Sequence, residues 1–347
     1  MARRKRTTGR KNSVSAAGTL LTIFLLAVCA VAAAGAWLVF MPFGPAKETF
    51  VEIAPGSSTI HIGRQLQAAG VVGSSYGFDL MRWWKRGTLK AGTYRFDHPV
   101  PVAEVYERIQ RGDVYTIALT VPEGASMFDI ATRLEQAGFG TRQDFLTVAV
   151  QQAGTIADLD PGAKSLEGYL FPDTYRFSPK ENSAQIAATM VRRFRQAAAQ
   201  IGLRENVHGV VTMASLVERE TAVDGERALV AGVFENRLAK DMPLMTDPSL
   251  IYGLELARQW RGALYGADLK HDTPYNTYLH PGLPPGPIAN PGMRSLRAAM
   301  EPEKTEYLYF VASGANPQGH SLFATTIEEH NRNVADYRQA MKKAGER

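Results

Sequence analysis

The chain has 347 residues, of which 45% are hydrophobic and 21% charged, enough for a sizeable core and more than one domain. Its net charge of +5 comes from the N-terminus: Arg3, Arg4, Lys5, Arg6, Arg10 and Lys11 all precede the first acidic residue, Glu48, and without those six the formal charge is about −1. Basicity confined to a tail excludes a nucleic-acid-binding face, and a single cysteine, Cys29, excludes disulfides and a thiolate metal site.

The basic tail (1–18) runs into an uncharged stretch from Asn12 to Ala46. Its most apolar part, Thr19 to Phe40, is 22 residues long. As a helix at about 1.5 Å per residue it reaches roughly 33 Å, which matches a hydrocarbon core of about 30 Å. The spacing predicts a transmembrane helix over 19–41, with Trp37 near the outer interface. The excess of positive charge on its N-terminal side puts that end in the cytoplasm. The run is longer than the apolar region of a cleaved signal, about 7–15 residues. Val28 stands before Cys29 where a lipoprotein would have a small residue. A single-pass anchor, in contact with membrane lipid, is the expectation.

Two stretches after the anchor repeat one another, 48–115 and 116–200. Gly56, Ser58, Ile62, Leu66, Ala69 and Gly70 recur as Gly124, Ser126, Ile130, Leu134, Ala137 and Gly138, at an offset of 68. Thr93-Tyr-Arg-Phe96 recurs as Thr174-Tyr-Arg-Phe177 at an offset of 81, so the second copy is longer by about 13 residues. Each copy predicts a strand (Phe50–Ile53; Thr116–Val121), a helix capped by Ser58 or Ser126, and a glycine stop at Gly70 or Gly138. Asp129 is placed for a capping box. A second helix, a strand through Tyr94 or Tyr175, and a third helix (Val102–Arg111; Ser183–Arg195) follow. This βααβ pattern resembles LysM-like modules, which bind cell-wall glycans; a structural spacer fits the pattern equally. The added length of the second copy carries Leu166-Glu-Gly-Tyr-Leu-Phe-Pro-Asp-Thr-Tyr175. Its aromatic density suggests a ligand-facing surface, with Tyr169 a candidate for stacking on a sugar ring.

The remaining segment, 201–340, reads as a mixed α+β domain. Val210 to Thr221 forms a helix whose apolar arc holds Val210, Val211, Met213, Ala214, Leu216 and Val217, with Thr212, Ser215 and Arg219 pointing away. Glu218 falls beside Val211 and Ala214, and Glu220 beside Leu216 and Met213. A carboxyl held against apolar side chains loses hydration and keeps its proton to higher pH, as a general acid requires. Next come a helix over Glu226–Leu238, a turn at Met245–Ser249 and a proline-rich irregular stretch from His271 to Gly292. Loops this long in a compact domain are functional or disordered, and the prolines that stiffen this one favour the functional case. A buried strand at Tyr307–Ala312 and a helix at Ile327–Lys343 close the domain. The overall expectation is an α+β fold: anchor, βααβ repeats, then this third domain.

Several segments fall in the order and spacing of one family. They are Glu-Gly-Tyr-Leu-Phe-Pro-Asp-Thr-Tyr (167–175), Ala-Ser-Leu-Val-Glu-Arg-Glu-Thr (214–221), Asn-Arg-Leu (236–238), Thr-Asp-Pro-Ser (246–249) and Gly-Leu-Pro-Pro-Gly-Pro-Ile-Ala-Asn-Pro-Gly (282–292). The chain resembles the endolytic murein transglycosylases, the YceG-like family, from the anchor to about residue 338. The resemblance implies a bacterial cytoplasmic-membrane protein, its catalytic domain outside, that cuts nascent peptidoglycan within the glycan strand as a lyase. A 1,6-anhydro-N-acetylmuramic acid end is left. It further implies work beside cell-wall synthases (penicillin-binding proteins), no cofactor and no metal, and it marks Glu218 as the catalytic glutamate.

One carboxyl suffices for that chemistry. Glu218 and Glu220 diverge by roughly 200° on a helix and cannot flank one bond as a glycosidase pair does. The C6 hydroxyl of muramic acid is an internal nucleophile, so proximity replaces an activated water. Glu220, Thr246, Asp247, Asn276 and Tyr278 are candidates for holding the sugar's N-acetyl and hydroxyl groups. The alternative function is a non-catalytic glycan-binding scaffold of the wall-synthesis machinery. Gly73-Ser-Ser-Tyr-Gly77 matches a serine-hydrolase elbow in letters but lacks the sheet context, and the histidines show no His-Glu-x-x-His pattern.

Overall fold

The computed structural model describes residues 16–314 and 319–345. The basic residues Arg3 to Lys11 lie outside them. The chain divides into two compact units, Met1–Thr116 and Ile117–Arg347.

In the first unit, α1 (Ala16–Phe40) is apolar along its whole length. Gly18–Phe40 has a mean hydropathy of 2.6 and is 6% buried, so by length and composition it could cross a membrane. Then follow β1 (Thr49–Ile53), α2 (Thr59–Ala68), α3 (Ser75–Lys85), β2 (Gly92–Phe96) and α4 (Val102–Arg111). β1 pairs antiparallel with β2, Thr49 opposite Phe96 and Val51 opposite Tyr94. Ser58 caps α2 by accepting from the His61 N–H at 3.3 Å. Gly70 takes φ +69 just past its end, a left-handed stop that costs glycine nothing. Ile62, Leu66, Phe78, Met81, Tyr94, Phe96 and Tyr106 fill the core.

The second unit opens with the same plan: β3 (Ile117–Val121), α5 (Met127–Gln136), α6 (Arg142–Gln151) and β4 (Asp173–Phe177). β3 and β4 pair in the register of the first copy, with Ile117 opposite Phe177 and Leu119 opposite Tyr175. In both copies the strand tyrosine donates its hydroxyl to the carbonyl four residues back, Tyr94 to Lys90 and Tyr175 to Phe171. Ser126 and Asp129 form the full capping box, and Gly138 sits at φ +83. The helices α7 (Ser183–Ile201), α8 (Val207–Glu220), α9 (Arg227–Leu238), α10 (Asp247–Leu256) and α11 (Met293–Met300) follow. The hairpin β5 (Tyr309–Ala312) and β6 (Ser321–Ala324), and then α12 (Ile327–Gly345), complete the unit. One apolar core runs from Leu119 to Ala299 and passes without interruption from the second βααβ copy into the α-helices.

The structure corrects three expectations. Tyr169, Phe171 and Tyr175 are core residues, 0%, 5% and 7% exposed, not a ligand-facing surface. Gly168 explains the close fit: at φ +86, any Cβ would lie 2.6 Å from Pro287 and 2.7 Å from Val211. β5 is half-buried, because among the described residues it pairs only with β6 in a two-stranded hairpin. Thr246-Asp-Pro-Ser249 opens a helix, α10, with proline in its first turn, where a missing N–H costs no bond.

Candidate functional site

α8 is packed on every side. Residues 211–217 are all buried, including Thr212 and Ser215, which the helical arc had placed outward. The reason is tertiary: the 282–292 loop lies along the face that would otherwise meet solvent, and it bonds α8 at three levels. His208 Nε2 meets the Pro285 carbonyl at 3.1 Å, the Ile288 N–H donates to Ser215 Oγ at 3.0 Å, and the Gly292 N–H donates to Glu218 Oε2 at 2.8 Å. His208 is itself held by Asp160 at 2.8 Å, and Asp160 accepts from Tyr169. Prolines fix the loop's backbone, and these bonds fix its register.

Asn290 ties that loop to the second βααβ copy. Fully buried, it accepts from the Leu170 N–H at 2.8 Å and donates through Nδ2 to Ala125 O at 2.9 Å and Glu167 Oε1 at 2.8 Å. Its backbone bonds to Gly124 and Ala125 add two more. Glu167 also accepts twice from the Met127 N–H at the start of α5. Burial pushes the Glu167 carboxyl up to about 8, against the opposing pull of the Met127 N–H and the Tyr252 hydroxyl.

The turn Pro122–Ser126, the end of the loop and the end of α8 therefore converge on Glu218. Its side chain is 5% exposed. It was expected to be dried against Val211 and Ala214, but Arg227 Nη2 meets its Oε1 at 3.1 Å, and Gly292 supplies the second bond. Arg227, itself buried, is oriented by Ser295 Oγ at 3.0 Å and by Asp224. Arg219 points outward but reaches back to the Gly124 carbonyl at 3.1 Å, bracing the turn. Glu123 lies against the same glycine: a Cβ on Gly292 would stand 1.9 Å from Glu123 Oε1. Partial burial raises the Glu123 carboxyl, and the Glu218 charge raises it further. Two carboxyl groups thus lie beside Gly292, and the Arg227 and Arg294 guanidinium groups act against the rise of Glu123. Sequence reading missed Glu123, Arg227 and Gly292 as site residues; only the repeated Gly124 stood next to the first.

Glu220 faces elsewhere, as its helical angle requires. It lines a pocket of about 380 Å³ with Arg237, Thr246, Asp247, Tyr278 and Tyr309. Burial and the nearby Asp247 push its carboxyl up to about 7, while Arg237 and Arg219 pull the other way. The Tyr278 hydroxyl donates to Asp247 Oδ1 at 2.6 Å. Four of the proposed sugar-binding residues, Glu220, Thr246, Asp247 and Tyr278, are thus brought together. The other two are not. Tyr169 is fully buried edge-on to Phe194, so neither ring face can meet a sugar. Asn276 is fully buried and spends its amide on Leu269 O, His271 O and the Tyr278 N–H, which shapes the loop below Tyr278. Ser75, of the Gly-x-Ser-x-Gly match, sits in the first turn of α3 in the other unit, and among the described residues all sheets are antiparallel pairs.

The YceG-like family model matches residues 51–336. The chain belongs to this family. It is 33% identical over 308 residues to the endolytic murein transglycosylase of Bacillus subtilis, covering 83% of this chain and 84% of that one. The protein of the same name from Streptococcus pneumoniae D39 is 32% identical over 331 residues; this chain spans 58% of its greater length. Among solved structures, a YceG-like protein from Listeria monocytogenes has a TM-score of 0.54 at 32% identity, covering 82% of this chain and 99% of that one. All the segments that meet at Glu218 fall within the YceG-like match.

Proposed function

We propose that the protein is a membrane-anchored endolytic lytic transglycosylase, which cleaves the β-1,4 bond after N-acetylmuramic acid inside peptidoglycan strands and leaves 1,6-anhydro ends. The observation that carries the reading is the constellation at Glu218: a buried carboxyl on an apolar helix, held by Arg227 and the Gly292 N–H, with Glu123 against the same glycine. Partial burial and the Glu218 charge hold the Glu123 carboxyl above its ordinary range, so a second acid group stands beside the first. Glu218 gives its proton to the glycosidic oxygen as the C1–O bond breaks. The C6 hydroxyl closes on C1, and its proton goes to the Glu218 carboxylate, so the residue ends as it began. Arg227 and Gly292 stabilise the carboxylate between those steps. Glu220, Thr246, Asp247 and Tyr278 offer polar groups to a neighbouring sugar.

A second assignment rests on Glu220, whose carboxyl at about 7 in an open pocket also suits a general acid. The Glu218 reading has the support of the family's motif. Digestion of purified peptidoglycan by Glu218→Gln and by Glu220→Gln separates them: loss of anhydro ends in the first only supports Glu218. A reducing muramic acid end from the unaltered protein would make it a hydrolase, and no cleavage with retained wall binding would make it a scaffold. In this reading α1 is a single-pass anchor in the cytoplasmic membrane with the rest outside, the βααβ copies are LysM-like glycan grips, and wall synthases are the neighbours.

A further inference from the structure

The first unit carries a feature that glycan cleavage does not use. On α3, Tyr76, Leu80, Trp83 and Trp84 fall within about 100° of one another at 100° per residue. They are 77%, 41%, 71% and 62% exposed. The adjoining arc, Gly77, Phe78 and Met81, is buried in the core. A helix apolar on both arcs, with paired indoles open to solvent, has a partner to find.

The position of α3 against α1 identifies that partner. Gly77 brings the two helices together, since a Cβ there would stand 2.9 Å from the Leu38 carbonyl. Farther down, a Cβ on Gly35 would touch Leu80 at 3.5 Å. Phe40 meets Trp84 edge-on at 6.5 Å. An apolar groove of about 520 Å³ between the helices is bounded by Val31, Gly35 and Phe40 on α1 and by Leu80, Trp83 and Trp84 on α3. Val31 to Phe40 covers about 14 Å of helix rise. If α1 spans a bilayer, that stretch is the part inside its outer leaflet. Side chains that line the same groove lie at the same depth.

We infer that α3 is an interfacial helix, whose Tyr76–Leu80–Trp83–Trp84 stripe is embedded at the headgroup–acyl boundary of the outer leaflet and holds the first unit down on the lipid surface. The proposal rests on reading α1 as a membrane span. Indole favours that boundary, where its ring is in an apolar layer and its N–H meets water. Arg86, exposed in a left-handed cap at the C-terminal end of α3, adds a positive charge suited to anionic headgroups.

Fluorescence quenching in the full chain tests this. Single-tryptophan variants retaining Trp37, Trp83, Trp84 or Trp260, the others replaced by Phe, are reconstituted into liposomes whose lipids are brominated at shallow or deep acyl positions. Trp83 and Trp84 are expected to be quenched about two-fold or more by the shallow probe and less by the deep one, with Trp260 unaffected. Quenching of Trp37 without quenching of Trp83 or Trp84 overturns the interfacial helix and leaves the anchor standing. Loss of quenching at Trp37 as well removes the anchor, and this proposal with it. Emission from Trp83 that is blue-shifted but unquenched, and that depends on protein concentration, would mean a second copy covers the stripe instead of lipid.

Discussion

Asn290→Ala is the substitution that most directly probes how the fold holds the site. Asn290 is 0% exposed and its side chain makes three bonds. Its loss leaves the Leu170 N–H without an acceptor in the interior, a penalty of about 1–3 kcal/mol. Glu167 loses one donor, worth about 0.5–1.5 kcal/mol while its carboxyl is protonated. Ala125 O keeps the Asn290 backbone N–H at 2.9 Å and adds little. The expected destabilisation near neutral pH is therefore roughly 2–4 kcal/mol, a large share of the 5–15 kcal/mol of a typical domain. It also depends on pH. Burial raises the folded-state Glu167 carboxyl to about 8, so that group's contribution is full below its unfolded value and is lost as pH rises through about 8. A missing donor hurts the anion most, so the penalty grows from pH 6 to pH 9. Urea unfolding followed by circular dichroism and by Trp260, the only tryptophan of the second unit, measures it. Anhydro-end release should fall about tenfold, because Gly292 is two residues from Asn290. A loss below about 1 kcal/mol with unchanged cleavage would refute the idea that Asn290 ties the loop to the repeat.

Other outcomes follow from the same geometry. Glu218→Gln should reduce release of anhydro ends by about 100-fold or more, while binding to sacculi is retained; normal cleavage would remove Glu218 from the chemistry. Gly292→Ala places a methyl where the Glu123 carboxyl now lies, at a backbone φ of −76 that alanine tolerates, so kcat should drop while unfolding free energy changes by less than about 1 kcal/mol. Glu123→Gln should change the pH profile of kcat/KM, because it removes a carboxyl that partial burial and the Glu218 charge hold above its ordinary range; an unchanged profile would separate Glu123 from the reaction. Glu220, raised to about 7 when folded, stabilises fully below its unfolded value near 4.5, and that contribution is lost as pH rises through 7. Glu220→Gln should therefore gain stability relative to the unaltered chain between pH 5 and pH 8, by roughly 3 kcal/mol at most, read from paired unfolding curves.

Much of the architecture was legible because it is local. The apolar length of α1, the serine caps of α2 and α5, and the glycine stops at 70 and 138 are all specified by residues within a few positions of one another, and helix ends obey such short-range rules. The repeat was visible for the same reason, down to the tyrosine of its returning strand. The motif 214–221 falls on one helix and gave Glu218 and Glu220 their diverging directions, since a helix angle follows from spacing alone.

What surrounds those two carboxyls could not be read that way. Thr212 and Ser215 looked outward by periodicity, yet a loop more than 70 residues away covers them through the Ile288–Ser215 bond. Glu218 finds its second hydrogen bond across 74 positions, and Asn290 reaches back 165 to the turn that carries Glu123. A side chain's own neighbours fix its conformation, but its charge partners and dryness depend on which distant backbone packs against it. The sequence by itself determined the apolar α1, the repeat and the two carboxyls of α8; the tertiary structure decided that Glu218 bonds to Arg227 and Gly292 with Glu123 beside that glycine, because only chain closure brings those groups together.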